Sequence, residues 1–358
     1  VEALRDIVHE KRLITPKLYY LAPNAFDEKA LFENSIIYVN VPAGKVRRYA
    51  SFLNITDFFI TLLGVFSALV TLFRLYPDVV VSKGGYGSVP TVLAAWLLRN
   101  PIIIHDSDAK PGRANLLAAK FATKIAISFE SAAAYFPARV QQRIARTGIP
   151  IRKALMHMEL DGARQYLKLE ENIPTVLILG GSQGAALINN AILEALPELL
   201  NKYQVLHQTG KANIEDIKQT ISISLKGHPN ASRYHPFDYL NELALRMSAG
   251  VANVIVSRAG STIFEIAGWG VPSIIIPLPS SISHDQVMNA YAYSKTGAAA
   301  IIEENNLSAH ILMEEINHIY DSVTITQTMK ERARAFSRTD SADIIANAIL
   351  DIALQHEK

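Results

Sequence analysis

Cysteine is absent from this 358-residue chain. Its absence excludes disulfides, thiolate nucleophiles and Cys-ligated zinc, and it suits a reducing compartment. Charge is sparse as well. Asp, Glu, Lys and Arg make up 19% of the residues and the formal net charge is +2, too little to draw the chain to nucleic acid. There is no repeat, no low-complexity tract and no long linker. The amino-terminal stretch Val1 to Arg12 is charged and amphipathic, unlike a secretory signal. What is abundant is apolar residue, at 49%, enough for sizeable cores, and the length favours two domains over one.

Short apolar runs alternate with helical patterns from end to end. This predicts an α/β protein of two Rossmann-like domains with mostly parallel sheets and a ligand crevice at the carboxyl ends of the strands. Thr147-Gly148-Ile149-Pro150 reads as the elbow between them. The expected division is 1–150, 151–340 and a terminal helix, 341–358, that crosses back to the first domain. The chain opens inside a helical pattern, whereas a doubly wound fold begins with a strand feeding its first helix. A strand and glycine turn are therefore expected ahead of Val1.

The most informative stretch is 253–291. The run Val254–Val256 ends in Ser257-Arg258-Ala259-Gly260-Ser261, and a helix follows with Glu265 in its first turn. Backbone N–H groups at such a helix start hold anions. Glu265 lies four residues past Ser261, so it is not a capping-box acid; it either complements the helix dipole or contacts a ligand. Asp285, Gln286 and Asn289 share a face of the next helix. A carboxylate and amides beside an anion site suit a ligand with hydroxyls and a phosphate, such as a nucleotide sugar. Other glycine turns follow strands at Lys83-Gly84-Gly85-Tyr86 and at Gly180-Gly181-Ser182-Gln183-Gly184. Neither is GxGxxG or GxxxxGK[ST], so neither specifies NAD or ATP. Asp238 is the expected N-cap of a helix opening at Phe237. His105 and Asp106 end another strand, and no metal-type spacing of His or acids surrounds them. Alone they read as a loop histidine and an exposed acid, and Arg152 reads as a surface charge.

From Phe58 to Phe73 the chain is apolar and uncharged, bounded by Asp57 and Arg74. The run is shorter than a membrane span. It is either a buried crossover helix or a helix with more apolar surface than its sheet covers, docking on a bilayer through Phe58, Phe59, Leu62 and Phe66, with Trp96 extending the patch and the basic cluster Lys45–Arg48 beside it.

Taken in order, Lys83–Pro90, His105-Asp106, Gly148–Arg152, Gly180–Ala185, His207–Gly210, Ser257–Gly260 with Glu265, and Gln286 with Asn289 resemble the MurG family of UDP-N-acetylglucosamine:lipid I N-acetylglucosaminyltransferases over essentially the whole chain. The resemblance implies a GT-B fold and an inverting transfer of GlcNAc, without metal or cofactor, to the C4 hydroxyl of MurNAc in an undecaprenyl-pyrophosphate-linked acceptor. It implies a peripheral enzyme on the cytoplasmic side of the cell membrane, serving peptidoglycan synthesis. By the same resemblance the second domain holds the donor. Glu265 would bind ribose. Gly260, Ser261, Thr262 and Ile263, with Ser182, would lie along the diphosphate with Arg152 nearby, and Gly181, Gln183 and Phe264 would also contact the donor. Phe237 and Asp238 would flank uracil, and Gln286 and Asn289 would grip the sugar. Gly84, Gly85, Tyr86 and Asp108 would serve the acceptor.

Three departures accompany the resemblance. The family's amino-terminal glycine loop with its His is absent, which leaves no named catalytic base beyond His105 and Asp106. Asp106-Ser107-Asp108 stands where the family has Glu-Gln-Asn. The Arg258–Glu265 spacing is one residue short. Competing readings are a transferase acting on another lipid such as diacylglycerol, a UDP-GlcNAc epimerase, and a non-catalytic UDP-sugar-binding protein.

Overall fold

The structure, a computed structural model, describes residues 1–45, 53–180 and 185–357, the side chains of His284, His356 and Glu357 excepted. It divides into two compact units, Val1–Pro150 with Asp340–Lys358, and Ile151–Thr339.

The first unit runs α1 (Glu2–Glu10), β1 (Leu18–Ala22), α2 (Glu28–Glu33), β2 (Ile36–Asn40), α3 (Leu53–Leu75), β3 (Val80–Ser82), α4 (Val89–Leu97), β4 (Ile102–Asp106), α5 (Arg113–Ala118), β5 (Lys124–Ile127) and β6 (Ile144–Arg146). Pairing is parallel: β3-β4-β5-β6 form one sheet, and β1–β2 a separate ribbon. Every residue of β4 is buried. That is why its sequence is a continuous apolar run rather than an alternating one. Residues of β1 and β3 line one cavity of about 700 Å³, together with Leu4, Leu72, Leu75 and Ile349.

Helix α3 begins earlier than the uncharged run and spans 23 residues, long and apolar enough to cross a membrane. Only the stripe Gly64, Ala68 and Leu72 is buried; these follow one another at i,i+4 and so share a face. A Cβ at Gly64 would meet the carbonyl of Pro42, so glycine is what lets the helix approach the end of β2. The opposite face leaves Phe58 64%, Phe66 67% and Phe73 73% exposed, with Phe59, Leu62, Leu63, Trp96 and Leu97 also outward. The buried-crossover reading thus holds for one stripe of the helix and fails for the rest.

The second unit contains α6 (Lys153–Met156), α7 (Ala163–Tyr166), β7 (Thr175–Leu179), α8 (Ala186–Leu199), β8 (Gln204–Gln208), α9 (Ile214–Ser224), β9 (Tyr234–Phe237), α10 (Glu242–Val251), β10 (Ala252–Ser257), α11 (Thr262–Trp269), β11 (Ser273–Ile275), α12 (His284–Ser294), β12 (Ala299–Ile301), α13 (Ala309–Asp321) and α14 (Val323–Phe336). Its sheet is parallel in the order β12-β11-β10-β7-β8-β9. The chain winds outward from β7 to β9, returns to the centre at β10 and winds the other way. The direction reverses between β7 and β10, and the carboxyl ends of those two strands are where such sheets bind ligands. Val176, Ile178, Val254 and Val256 from them are fully buried in the core, with Ile188 and Ile192 of α8 and Leu312 and Ile316 of α13. The last helix, α15 (Ser341–Ala353), belongs to the first unit, where Ala346 and Leu350 pack on Ala3, Leu4, Ile7 and Val8 of α1.

One boundary differs from expectation. Helix α10 is capped by Asn241, whose side chain accepts from the Ala244 N–H at 2.9 Å. Asp238 instead turns onto the next N–H, that of Tyr239, at 2.7 Å. Both residue types cap well. The choice falls to the loop, which Gln208 ties down through Leu240 at 3.1 Å.

Candidate active site

The second unit's site forms where β10 ends. Ser257 and Ala259 are buried. The Arg258 guanidinium donates to the Ile276 carbonyl at 3.2 Å and pairs with Glu304. That arginine is therefore committed to holding the turn. Gly260 has open space where a side chain would stand. Helix α11 then starts without a side-chain cap from Ser261. Ile263 and Phe264 donate to the carbonyls of Gly260 and Ser261 at 3.3 and 3.0 Å, so the N–H groups of Gly260, Ser261 and Thr262 are the ones that can meet a ligand, with the helix dipole behind them. Ile263 and Phe264, both expected to contact donor, are 0% and 4% exposed. Their side chains belong to the core, Phe264 packing on Phe336 with ring centres 5.4 Å apart.

Glu265 sits in the first turn of α11, partly buried. Burial pushes its carboxyl above the usual range, and the positive charge of Arg152 opposes that shift. Arg152 itself lies 3.6 Å from the Glu242 carboxylate at the start of α10. The two segments are fastened together by Trp269, which is 1% exposed and donates its indole N–H to the Leu155 carbonyl at 2.7 Å. Arg152 and Glu265 thus come together, a pairing that their 113-residue separation conceals.

On α12, the Gln286 side-chain oxygen accepts from the Leu278 N–H at 3.2 Å, which leaves its NH₂ to address a sugar hydroxyl. Asn289 is placed differently from expectation. It is 4% exposed and donates to the Ala259 carbonyl at 3.3 Å. It secures the anion-binding turn. The remaining donor expectations, Gly181, Ser182 and Gln183, lie outside the described residues, as do Val46, Arg47 and Arg48 of the basic cluster.

The segment His207-Gln208-Thr209 has a role that sequence reasoning left unassigned. His207 is fully buried between the Tyr234 hydroxyl, 2.9 Å from Nδ1, and the Asn189 side-chain oxygen, 3.0 Å from Nε2. Nε2 therefore carries the proton and Nδ1 accepts. Burial drives the ring's pKa down to about 3. Thr209 donates its hydroxyl to the Phe237 carbonyl at 3.1 Å. With Gln208, it fixes the Phe237–Leu240 loop beside a cavity of about 450 Å³ lined by Phe237, Tyr239, His235 and Lys168.

In the first unit, β3 runs into Lys83 and then Gly84 and Gly85, at φ +85° and +79°. Only glycine takes such values freely. A Cβ at Gly84 would also stand 2.7 Å from the amide nitrogen of Asn115. Tyr86 opens a short helical turn into α4, and the Lys45 ammonium sits 5.3 Å from the centre of its ring. Asp108 is half-buried at the end of β4, and its N–H is bound to Asp106.

His105 and Asp106, the weak candidates for a base, are both 1% exposed. His105 Nδ1 lies 2.7 Å from the Lys83 ammonium and Nε2 lies 2.8 Å from the Gly148 carbonyl. One neutral tautomer satisfies both contacts, with Nε2–H donating. Burial holds the ring near a pKa of about 4, with the Lys83 charge acting in the same direction. Asp106 accepts from the N–H groups of Asp108 and Gly112 at 3.0 and 3.3 Å and from the Asn115 amide at 2.7 Å. Both are buried and held by protein partners. Rather than a loop histidine and an exposed acid, they form a buried network that, through Asn115, borders the Gly84 turn. Among the described residues no three of His, Asp or Glu converge in a metal-binding group.

Comparison with known proteins places these features. The glycosyltransferase family 28 N-terminal domain matches residues 6–127, and the glycosyltransferase family 28 C-terminal domain matches residues 175–347. The chain is 37% identical over 305 residues to UDP-N-acetylglucosamine--N-acetylmuramyl-(pentapeptide) pyrophosphoryl-undecaprenol N-acetylglucosamine transferase 2 of Bacillus anthracis, covering 84% of this chain and 83% of that one. The enzyme of the same name, without the numeral, from Lachnospira eligens is 34% identical over 94% of this chain and 91% of its own. Among solved structures, MurG of Acinetobacter baumannii superposes with a TM-score of 0.74 at 22% identity, over 98% of this chain and 94% of that one. A UDP-GlcNAc 2-epimerase from Neisseria meningitidis bound to UDP-GlcNAc gives 0.68 at 14% identity, over 98% and 95%. At those identities the structural likeness speaks for the shared GT-B architecture alone.

Proposed function

The chain belongs to the MurG family of N-acetylglucosaminyltransferases within glycosyltransferase family 28, and on that premise we propose that it transfers GlcNAc from UDP-GlcNAc to the C4 hydroxyl of MurNAc in lipid I. The observation that carries this reading is the uncapped start of α11 at the β7/β10 switch point, with Glu265 and Arg152 brought beside it. Breaking the sugar–phosphate bond leaves negative charge on UDP. The backbone donors of Gly260 to Thr262, with the Arg152 guanidinium beside them, meet that charge as it develops. The Glu265 carboxylate accepts from the ribose hydroxyls, the Phe237–Asp238 loop flanks uracil, and the Gln286 amide orients the sugar.

Attack by the acceptor hydroxyl on the face opposite UDP inverts the anomeric centre, and its proton needs a general base other than His105 or Asp106. The acceptor belongs to the first unit, at Gly84, Gly85, Tyr86 and Asp108. The exposed face of α3 seats the enzyme peripherally on the cytoplasmic side of the membrane that carries the lipid acceptor. Phe58, Phe59, Leu62 and Phe66 enter the interface with Trp96.

The test is to incubate the full-length protein with UDP-GlcNAc and a lipid I analogue and analyse the products. Formation of the disaccharide-pyrophosphoryl lipid is expected. A 2-epimerised nucleotide sugar formed without acceptor, transfer to diacylglycerol in its place, or UDP binding with no turnover would each refute the assignment.

A further inference from the structure

A metal-free acceptor site for a lipid pyrophosphate needs fixed positive charge, and the glycine turn offers none of its own. The residue immediately before the turn does. Lys83 follows β3 directly, at the carboxyl edge where parallel sheets bind ligands. It lines the same cavity as Gly84, Gly85 and Tyr86. Among the described residues its hydrogen-bond partner is His105 Nδ1, at 2.7 Å. An ammonium has three donors, so two remain for a ligand. The bracket is rigid. His105 is 1% exposed and is locked from its other side by the Gly148 carbonyl at 2.8 Å. Lysine ordinarily pays for its mobility when it binds a ligand; here that ordering is already done.

The surroundings point the same way. Burial lowers the Lys83 pKa from its ordinary value, with the Asp106 and Asp108 carboxylates opposing it. Lys45 places a second ammonium over the Tyr86 ring. Asp106 is occupied by Asp108, Gly112 and Asn115.

Resting on the transferase reading above, we propose that Lys83 is the positioning residue that receives the pyrophosphate of the lipid acceptor, with His105 as its bracket. His105 thus contributes through Lys83 and never touches the transferred proton.

The experiment compares the full-length protein with its Lys83→Gln and Lys83→Arg variants. A short-chain alkyl pyrophosphate, which carries no sugar, is titrated calorimetrically, and steady-state constants are measured for a soluble lipid I analogue. Lys83→Gln should raise both the alkyl pyrophosphate Kd and the acceptor KM by about ten- to a hundred-fold, the weight of a charged hydrogen bond. Affinity for UDP should not move, which separates acceptor from donor diphosphate. Lys83→Arg should recover part of the loss, because it keeps the charge. Constants within about twofold of wild type for Lys83→Gln would overturn the proposal.

A measurement on the unmodified protein covers the case in which the variant fails to fold. Alkyl pyrophosphate should slow acetylation of Lys83 by a lysine-reactive ester, read by mass spectrometry, and UDP should not. Unchanged labelling of Lys83 overturns the proposal as firmly. If the protein binds alkyl pyrophosphate through Lys83 yet forms no disaccharide, the transferase reading falls and this one stands.

Discussion

Replacing Glu265 by Gln separates ligand binding from folding at a single side chain. The carboxyl is partly buried, and its pKa is raised by that burial despite the Arg152 charge. A group whose folded pKa lies above its unfolded value stabilises the fold below the unfolded value, and that contribution is lost as pH rises through the folded one. Ionised Glu265 is therefore a cost to the empty protein at neutral pH. Gln has nearly the same shape and no charge, so Glu265→Gln should leave the melting temperature at pH 7 unchanged or raise it. UDP binding should move the other way. Two ribose hydroxyls donating to one carboxylate make charged hydrogen bonds of about 1.5–3 kcal/mol each. Gln keeps one acceptor oxygen and turns the other into a donor, so about 2 kcal/mol is lost, a rise of about 30-fold in Kd. The wild type should also lose UDP affinity as pH falls through the raised pKa, because protonation removes an acceptor; the variant should show no such slope. Titration calorimetry with UDP across about pH 5 to 8, beside differential scanning fluorimetry, reads both effects. UDP affinity within about twofold of wild type, or a fall in melting temperature parallel to the loss of affinity, would refute the reasoning.

Two further outcomes are expected. Phe58, Phe66 and Phe73, all more than half exposed on α3, should drive vesicle binding. Changing all three to Ser should cut partition onto anionic vesicles by a factor of about 1,000, at about 1.5 kcal/mol or more per buried ring, and leave turnover of a water-soluble acceptor intact. A shift below about tenfold in a sedimentation assay would place the membrane contact elsewhere. His207 is held neutral with its pKa depressed to about 3. Its stability contribution is present above the unfolded value and lost as pH falls through the window between that value and about 3. Between pH 7 and pH 5 the second unit should lose about 2 kcal/mol from this residue. Urea denaturation should show that slope flattened in His207→Gln; an unchanged slope assigns the acid sensitivity to other groups.

Much of the architecture was legible because it is written locally. Parallel strands buried on both faces, such as β4 and β7, need apolar residues at every position, and the runs Ile102–Ile104 and Thr175–Leu179 show it. The glycine turns were legible for the same reason, since left-handed φ values such as those at Gly84 and Gly85 select their residue directly. Helix α3 was not, because a helix apolar on every side has no period that marks its buried face. That face was chosen by the close approach of Gly64 to Pro42.

The chemistry of single side chains divides the same way. The positions of Glu265 after a glycine-containing turn and of Gln286 on the next helix follow from spacing along the chain; the roles proposed for them rest on the family resemblance. The fates of His105, Asp106 and Asn289 do not follow from spacing. Each is a polar residue whose role depends on which neighbours take its lone pairs and protons, and those neighbours come from other elements: Gly148 and Lys83 for His105, Asn115 for Asp106, Ala259 for Asn289. The same holds for Lys83, a surface lysine by composition that the buried imidazole beside it turns into a fixed charge. By itself the sequence determined the strand ends and the turns at which ligands bind, because short-range sterics and burial dictate them. Only the tertiary structure decided which polar groups at those ends remain open to a ligand, because hydrogen-bond partners are allotted by packing across the fold.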